Sequence, residues 1–180
     1  RGAHIVRAVL ADLIARHGLG AAKQVVFSGT SAGGIGTLVN ADAVVAALPW
    51  AAVRSLADSG WFVGNPPFGT PNSSTVFTCP ATAGVATGIA YWKPAEPADC
   101  LAFANASTAY QCFFGPTLRP FLTSRIYTMQ YLFDAAQETF DQALPPWSAA
   151  AFEYIEATAA SLVASFGATQ GVFSPACFLH

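Results

Sequence analysis

Residues 24–36 decide the fold, and they read QVVFSGTSAGGIG. The first part, residues 24–28, is a short apolar run with β-branched members, which is typical of a buried strand. Glycines and other small residues follow at once in residues 29–36. Apolar residues at helical spacing then occupy residues 35–48, and Pro49 ends that pattern. The stretch therefore predicts a strand, a tight turn and a helix in direct succession.

The predicted turn contains the pattern G-x-S-x-G at residues 29–33, with Ser31 as its serine. In such a turn the serine has a strained backbone, and small neighbours allow the strand and the helix to approach closely. The N–H of Ala32 would face a developing oxyanion near the positive end of the helix. A phosphate-binding or purely structural glycine turn is the alternative. A phosphate loop needs a lysine after its last glycine, and none follows here.

A serine nucleophile needs a base, and the base needs an orienting carboxylate. Where the nucleophile lies on this kind of turn, the acid and then the histidine follow it along the chain. His180 is the one histidine after Ser31, since His4 and His17 precede it. His180 is therefore the candidate base, with a chance histidine as the alternative.

Two aspartates are candidates for the orienting acid, because acids of this kind follow the carboxyl end of a strand. Asp58 follows a predicted strand at residues 52–56, and Asp134 follows another at residues 126–132. An Asx turn is the other interpretation of Asp58. The strand pattern alone leaves both aspartates open.

The remaining segments extend the alternation of strands and helices. We expect a long loop at residues 62–78, short helices within residues 80–118, and helices at residues 3–17 and 149–166, the latter capped by Ser148. A further strand is predicted at residues 171–174. This order predicts an α/β fold with a parallel sheet covered by helices on both faces, in a single domain over residues 1–180.

The composition argues against several classes of protein. Apolar residues make up 53% of the chain and charged residues 10%, with a net charge of −2. Because basic residues form no cluster, a nucleic-acid partner is not indicated. No apolar run reaches the roughly 18 residues of a membrane span. The four cysteines, at positions 79, 100, 112 and 177, form no C-x-x-C pair, so neither a zinc ribbon nor a thioredoxin-type site is predicted.

The cysteines and two glycosylation sequons favour an oxidising compartment. Asn72 and Asn105 each begin an N-x-S sequon. Together with an even number of cysteines, these sequons predict a secreted protein with disulfides.

Several stretches together resemble the pectin acetylesterase/Notum family. They are, in chain order, residues 26–36, 57–62, 89–92 with Cys100 and 111–115, 130–137 and 174–180. The resemblance implies an α/β-hydrolase-like sheet flanked by helices, with a cysteine-bearing helical insertion. It implies a serine carboxylesterase that uses Ser31 as nucleophile, Asp134 as acid and His180 as base, without a metal or cofactor. It thus favours Asp134 over Asp58.

The same resemblance assigns roles to neighbouring residues. Ala32 would supply one oxyanion N–H, and Phe113 and Phe114 would line the acyl pocket, with ordinary core packing as the alternative. Cys100 and Cys112 would pair within the insertion, whereas the pairing of Cys79 and Cys177 stays open. The family's other oxyanion donors come from a glycine-rich segment that residues 1–28 do not match. We therefore expect a partial domain that lacks N-terminal strands and a C-terminal segment.

The resemblance implies two substrate classes. One is the O-acetyl ester of pectin and related cell-wall polysaccharide, which we favour here because it is the broader class. The other is a fatty-acyl ester on a secreted protein. A non-catalytic binding protein on the same scaffold is the alternative of a different kind. The sequence indicates no oligomeric state.

Overall fold

The computed structural model describes residues 2–69, 81–167 and 171–180. Its α-helices are α1 (Gly2–Arg16), α2 (Ala32–Ala47), α3 (Ala81–Trp92), α4 (Ala98–Phe103), α5 (Gly115–Leu118), α6 (Ala135–Phe140) and α7 (Ala149–Phe166), and short 3-10 helices lie at Leu19–Ala21, Ala109–Phe113 and Arg119–Phe121. Its strands are β1 (Gln24–Thr30), β2 (Ala52–Asp58), β3 (Ile126–Met129), β4 (Phe133–Asp134), β5 (Gly171–Phe173) and β6 (Phe178–Leu179). The protein is thus an α/β protein, as the sequence predicts.

Two parallel sheets organise the strands. The larger is four-stranded in the order β1-β2-β3-β5, and the smaller pairs β4 with β6. In the larger sheet Thr30 pairs with Asp58, and Asp58 pairs with Met129. Because parallel strands end at one edge, the turn after β1 lies beside the end of β2.

The core lies on one face of the larger sheet. On β2 the side chains of Val53, Ser55 and Ala57 point to this face and are buried. Val53 packs with Val44 and Leu48 of α2 and with side chains of α1. Ala57 belongs to a larger cluster with residues of α2, α7 and the helical insertion, among them Leu38, Cys100, Leu118, Leu162 and Phe166.

The opposite face of the sheet is open within the described ranges. Val26 is 69% exposed, Tyr127 46% and Phe173 51%. Helices flank the sheet as expected, and among the described residues α1, α2 and α7 all contribute to the clusters on the buried face.

Several predicted boundaries differ from the observed ones by a few residues. The strand predicted at residues 126–132 ends at Met129, and the chain then continues into the smaller sheet. The helix predicted from residue 35 begins at Ala32, and the strand predicted at residues 52–56 extends to Asp58. The helix over Ala149–Phe166 has the predicted bounds, and the side chain of Ser148 caps it by accepting from the N–H of Ala151.

The insertion contains the disulfide that the resemblance implies. Cys100 and Cys112 are bonded and fully buried. Cys177 is exposed and has no disulfide partner among the described residues, and Cys79 lies outside them. The sequon at Asn105 is on the surface, whereas Asn72 and most of the predicted loop at residues 62–78 lie outside the described part. Of the helices that the structure describes, none combines the length and apolar character of a bilayer span.

Candidate active site

Ser31 lies on the turn between β1 and α2, one residue before the helix begins. Its backbone has φ 58° and ψ −121°, in a region that residues with a side chain rarely adopt. The Ser31 N–H donates to the carbonyl of Asp58 at 2.9 Å, so the turn is tied to the end of β2. Ala32, as the first residue of α2, presents an N–H that has no acceptor within the helix.

Glycines allow this turn to form because backbones touch there. A Cβ at Gly29 would overlap the backbone of Gly33, and one at Gly34 would overlap the carbonyl of Asp58. A Cβ at Gly60 would overlap the backbone of Gly34. Helix α2 therefore packs backbone to backbone against both strands, and this contact keeps Ser31 at the sheet edge.

The smaller sheet brings His180 to the serine. The pairing of β6 with β4 sets Leu179 opposite Asp134, and His180 follows directly. The Nε2 atom of His180 lies 2.6 Å from Ser31 Oγ. Its Nδ1 atom lies 2.9 Å from Oδ2 and 3.0 Å from Oδ1 of Asp134. The structure thus brings together the serine, the histidine and the aspartate that the resemblance selects.

Asp134 is 4% exposed and is held by several donors. It caps α6, since its Oδ1 accepts from the N–H groups of Ala136 at 3.0 Å and Gln137 at 2.9 Å. Its Oδ2 accepts from Gln130 Nε2 at 2.6 Å. The carboxylate therefore has a fixed orientation toward His180.

Asp58, the other candidate acid, has different partners. Its Oδ2 accepts from Thr30 Oγ1 at 3.1 Å, and its Oδ1 accepts from Ser59 Oγ at 3.0 Å. These bonds tie together the ends of β1 and β2 beneath the serine turn. Both donors are side-chain hydroxyl groups, whereas an Asx turn is closed by a backbone N–H two residues on.

The other histidines lie apart from this cluster. His17 is on the surface beside Asp12, at 3.4 Å. His4 lies on α1 and lines a cavity described below. Among the described residues, no group of His, Cys, Asp and Glu side chains could hold a metal ion.

A buried pair of acids lies behind Asp134, and the sequence does not predict it. Glu138 is 3% exposed, and neither oxygen of its carboxyl group has a hydrogen-bond partner among the described residues. Burial, together with the charges of Asp141 and Asp134, raises the pKa of Glu138 to about 7. Burial also raises the pKa of Asp141 to about 6, against the hydrogen bonds from Tyr154 and Gln137.

Two further residues of the site were missed at the sequence level. The ring of Phe62 stacks on His180 with centroids 6.0 Å apart, and the side chain of Gln130 donates to Asp134. Phe62 lies within one of the family-like stretches, and Gln130 is a polar residue inside an apolar run. A buried polar residue in such a run is a signal that could have identified Gln130.

A mainly apolar cavity of about 480 Å³ lies beside the serine turn. Ala32, Ile35 and Gly36 line it from α2, and Phe113 lines it from the insertion. Phe114 is 4% exposed and borders a smaller, more polar cavity of about 310 Å³ instead. The two phenylalanines predicted to line one pocket thus face different spaces.

Comparison with known proteins places these features in a family. The pectinacetylesterase family model matches residues 1–180. The chain belongs to the pectinacetylesterase family.

Curated relatives of this pectinacetylesterase-family chain carry a narrower name. It is 34% identical over 187 residues to palmitoleoyl-protein carboxylesterase notum1 of Xenopus laevis, covering 99% of this chain and 38% of the relative. It is also 34% identical to palmitoleoyl-protein carboxylesterase NOTUM of Homo sapiens, with the same coverage. The Drosophila melanogaster protein of that name is 31% identical, and the match covers 26% of it. The chain therefore spans well under half the length of these relatives.

Proposed function

We propose that this chain carries the catalytic residues of a serine carboxylesterase, with Ser31 as nucleophile, His180 as base and Asp134 as orienting acid. The observation that carries the proposal is the 2.6 Å distance between His180 Nε2 and Ser31 Oγ, beside a serine with a strained backbone. An active serine requires both a base within hydrogen-bond reach and an exposed position on the turn. Family membership supports the same reaction class.

Acylation begins when His180 takes the proton of Ser31 and Oγ attacks the ester carbonyl carbon. The negative charge that develops on the carbonyl oxygen is stabilised by the N–H of Ala32, at the positive end of α2. Asp134 accepts from His180 Nδ1, which keeps Nε2 free to act as the base. The protonated His180 then donates to the alcohol oxygen, and the alcohol leaves.

Deacylation repeats these roles with water. His180 removes a proton from a water molecule as its oxygen attacks the acyl carbon, and the protonated His180 then donates to Ser31 Oγ as the bond to the acyl carbon breaks and the acid leaves. One N–H from Ala32 is half of a usual oxyanion hole, and loss of one donor typically costs about 100- to 1,000-fold in rate. Activity is therefore to be measured on the full-length protein.

The cavity beside Ala32 favours an acyl group longer than acetyl. An acetyl group needs little room, whereas a long chain needs a deep apolar space, and about 480 Å³ is within the range of ligand pockets. The names of the curated relatives point the same way. We therefore place a fatty-acyl ester of a protein first. The O-acetyl ester of cell-wall polysaccharide, expected from the sequence, is the second candidate and agrees with the family description.

The proposed setting is extracellular. A disulfide in the insertion is typical of proteins from an oxidising compartment. Acylated proteins and acylated polysaccharides both occur outside the cell, so this setting agrees with either substrate.

Hydrolysis of nitrophenyl acetate and nitrophenyl octanoate by the full-length protein tests both parts of the proposal. We expect turnover that Ser31→Ala abolishes, with kcat/KM higher for the octanoate. Preference for the acetate would reverse the order of the two substrates. A folded protein that hydrolyses neither ester would contradict the esterase proposal.

A cavity-filling variant links the chain-length preference to the cavity. A Cβ at Gly36 meets nothing within 4 Å, so Gly36→Leu extends into the cavity. We expect it to lower octanoate turnover at least tenfold more than acetate turnover. Gly84→Leu is the control, because a Cβ at Gly84 also meets nothing within 4 Å and Gly84 does not line the cavity. Equal effects of the two variants on the octanoate-to-acetate ratio would exclude this cavity as the acyl site.

A further inference from the structure

Gln130 is buried where the chain passes from β3 to β4, and both ends of its side-chain amide are used. It is 1% exposed. Its Nε2 donates to Asp134 Oδ2 at 2.6 Å, and its Oε1 accepts from the N–H of Trp61 at 2.8 Å. A buried glutamine with a donor and an acceptor both satisfied has one side-chain orientation.

The backbone of Gln130 is fixed as well. Its N–H donates to the carbonyl of Phe173 at 3.0 Å, and its carbonyl accepts from Ser174 Oγ at 2.7 Å. Both the backbone and the side-chain amide of Gln130 are therefore held by hydrogen bonds, so the amide needs no rearrangement during a reaction to contact Asp134.

The contact holds Oδ2 of Asp134, the same oxygen that lies 2.9 Å from His180 Nδ1. Rotation about the last side-chain bond of an aspartate is broad. In Asp134 the backbone N–H groups of Ala136 and Gln137 hold Oδ1, and Gln130 holds Oδ2. Holding both oxygens fixes the orientation of the carboxylate, whose Oδ1 and Oδ2 lie 3.0 and 2.9 Å from His180 Nδ1.

The same glutamine also connects Asp134 to the segment that packs on His180. The N–H of Trp61 donates to Gln130 Oε1. The next residue, Phe62, stacks its ring on the imidazole of His180. One side chain thus contacts the acid directly and holds the backbone next to the ring that packs on the base.

We propose that Gln130 is a positioning residue that holds Asp134 in the plane required to orient His180. This inference rests on the proposed function of Ser31, His180 and Asp134. Gln130 does not contact the reacting atoms, so it affects turnover through Asp134 and leaves ester binding unaltered.

The test uses Gln130→Glu and Gln130→Met in the full-length protein, with nitrophenyl octanoate as the probe. Gln130→Glu keeps an acceptor for Trp61 and, when ionised, replaces the donor to Asp134 by a negative charge, whereas Gln130→Met removes both hydrogen bonds without adding a charge. Since a hydrogen bond to a charged group has a substantial effect on free energy, we expect kcat to fall about 10- to 100-fold and KM to stay within about twofold. Gln24→Glu, the same change at the far end of β1, is the control and retains wild-type kcat.

A double-mutant cycle separates positioning from general structural support. In an Asp134→Ala background, each Gln130 substitution is expected to have no further effect on the remaining kcat. Wild-type kcat in both Gln130 variants would overturn this inference alone. So would a loss of kcat in the Asp134→Ala background as large as the loss in the wild-type background. Absence of turnover in the folded wild-type protein would instead overturn the esterase proposal. If Gln130→Met does not fold, Gln130→Glu supplies both measurements.

Discussion

Ser31 holds a backbone conformation that costs on the order of 1–3 kcal/mol for a residue with a side chain. Its N–H bond to Asp58 and the close contact between α2 and the ends of the strands keep it there. Such strain persists where the surrounding structure fixes it, and it is frequent at catalytic positions. The backbone of the turn thus sets the orientation of Ser31, and His180, which follows β6 of the smaller sheet, contacts its Oγ.

The buried carboxyl group of Glu138 gives a residue-scale prediction about pH. Its pKa is raised in the folded protein from 4.5 to about 7, so the native state binds an extra proton between these values and stability falls as pH rises through that window. Glu138→Gln removes this loss. We expect the variant to be more stable than wild type at pH 8, on the order of 2 kcal/mol, and similar to it near pH 4.5.

Thermal unfolding at the two pH values measures this difference. Glu153→Gln on the exposed face of α7 is the control, and it should leave the pH dependence of wild type in place. An equal gain for Glu138→Gln at both pH values would show that the charge of Glu138 is not the cause.

The residues of the site differ in how far the sequence could predict them. Ser31 and His180 follow from a local motif and from chain order, which a sequence displays directly. Asp134 and Asp58 each end a strand, so only the family resemblance favoured one of them. The burial of Gln130 and Glu138 is not displayed in this way; Gln130, for example, contacts Trp61 and Phe173, which lie far from it along the chain.

At the scale of elements, the contact between α2 and the strands predicts that alanine substitutions at two neighbouring glycines differ in their effect on stability. A Cβ at Gly34 would overlap Asp58, so Gly34→Ala must push α2 away from β2. We expect a loss of about 1–3 kcal/mol and a fall in esterase activity. Gly33→Ala is the matched control, because a Cβ there meets nothing within 4 Å and alanine favours a helix.

Denaturant unfolding of the two glycine variants checks this prediction. A large loss of stability in Gly33→Ala, or none in Gly34→Ala, would mean that α2 does not pack on β2 as described.

The insertion between β2 and β3 depends on its disulfide. The bond between Cys100 and Cys112 closes a loop with a sequence separation of 12, and opening such a loop costs roughly 3 kcal/mol. We expect the double variant Cys100→Ser, Cys112→Ser to unfold at a lower denaturant concentration than wild type. Cys177→Ser, at an exposed and unpaired position among the described residues, is the control. Equal midpoints for both variants would contradict a stabilising bond.

Elements with strong local signals were predicted well, and those that depend on distant partners were not. The helix over Ala149–Phe166 has a serine cap and a glycine stop in the sequence itself. The short strands β4 and β6 have no pattern of their own, and they exist because Phe133 stacks on Phe178 at 4.9 Å and the two backbones pair. That pairing is what carries His180 to Asp134.

At the scale of the whole molecule, helices cover one face of the larger sheet, and the other face is exposed among the described residues. The chain also matches 38% of the length of two of the relatives named above. The serine, the histidine and the aspartate nevertheless lie within hydrogen-bond distance of one another inside this one chain. The proposed chemistry of the base and the acid therefore requires no residue outside it.

Labelling of the full-length protein by a fluorophosphonate, located by peptide mass spectrometry, tests the central claim most directly. We predict a single label on Ser31. The labelling rate should fall at least 100-fold in His180→Gln, since a general base contributes about 100- to 10,000-fold, and stay unchanged in His17→Gln. A folded protein that takes up no label, or a label whose rate is the same in His180→Gln as in wild type, would contradict the account.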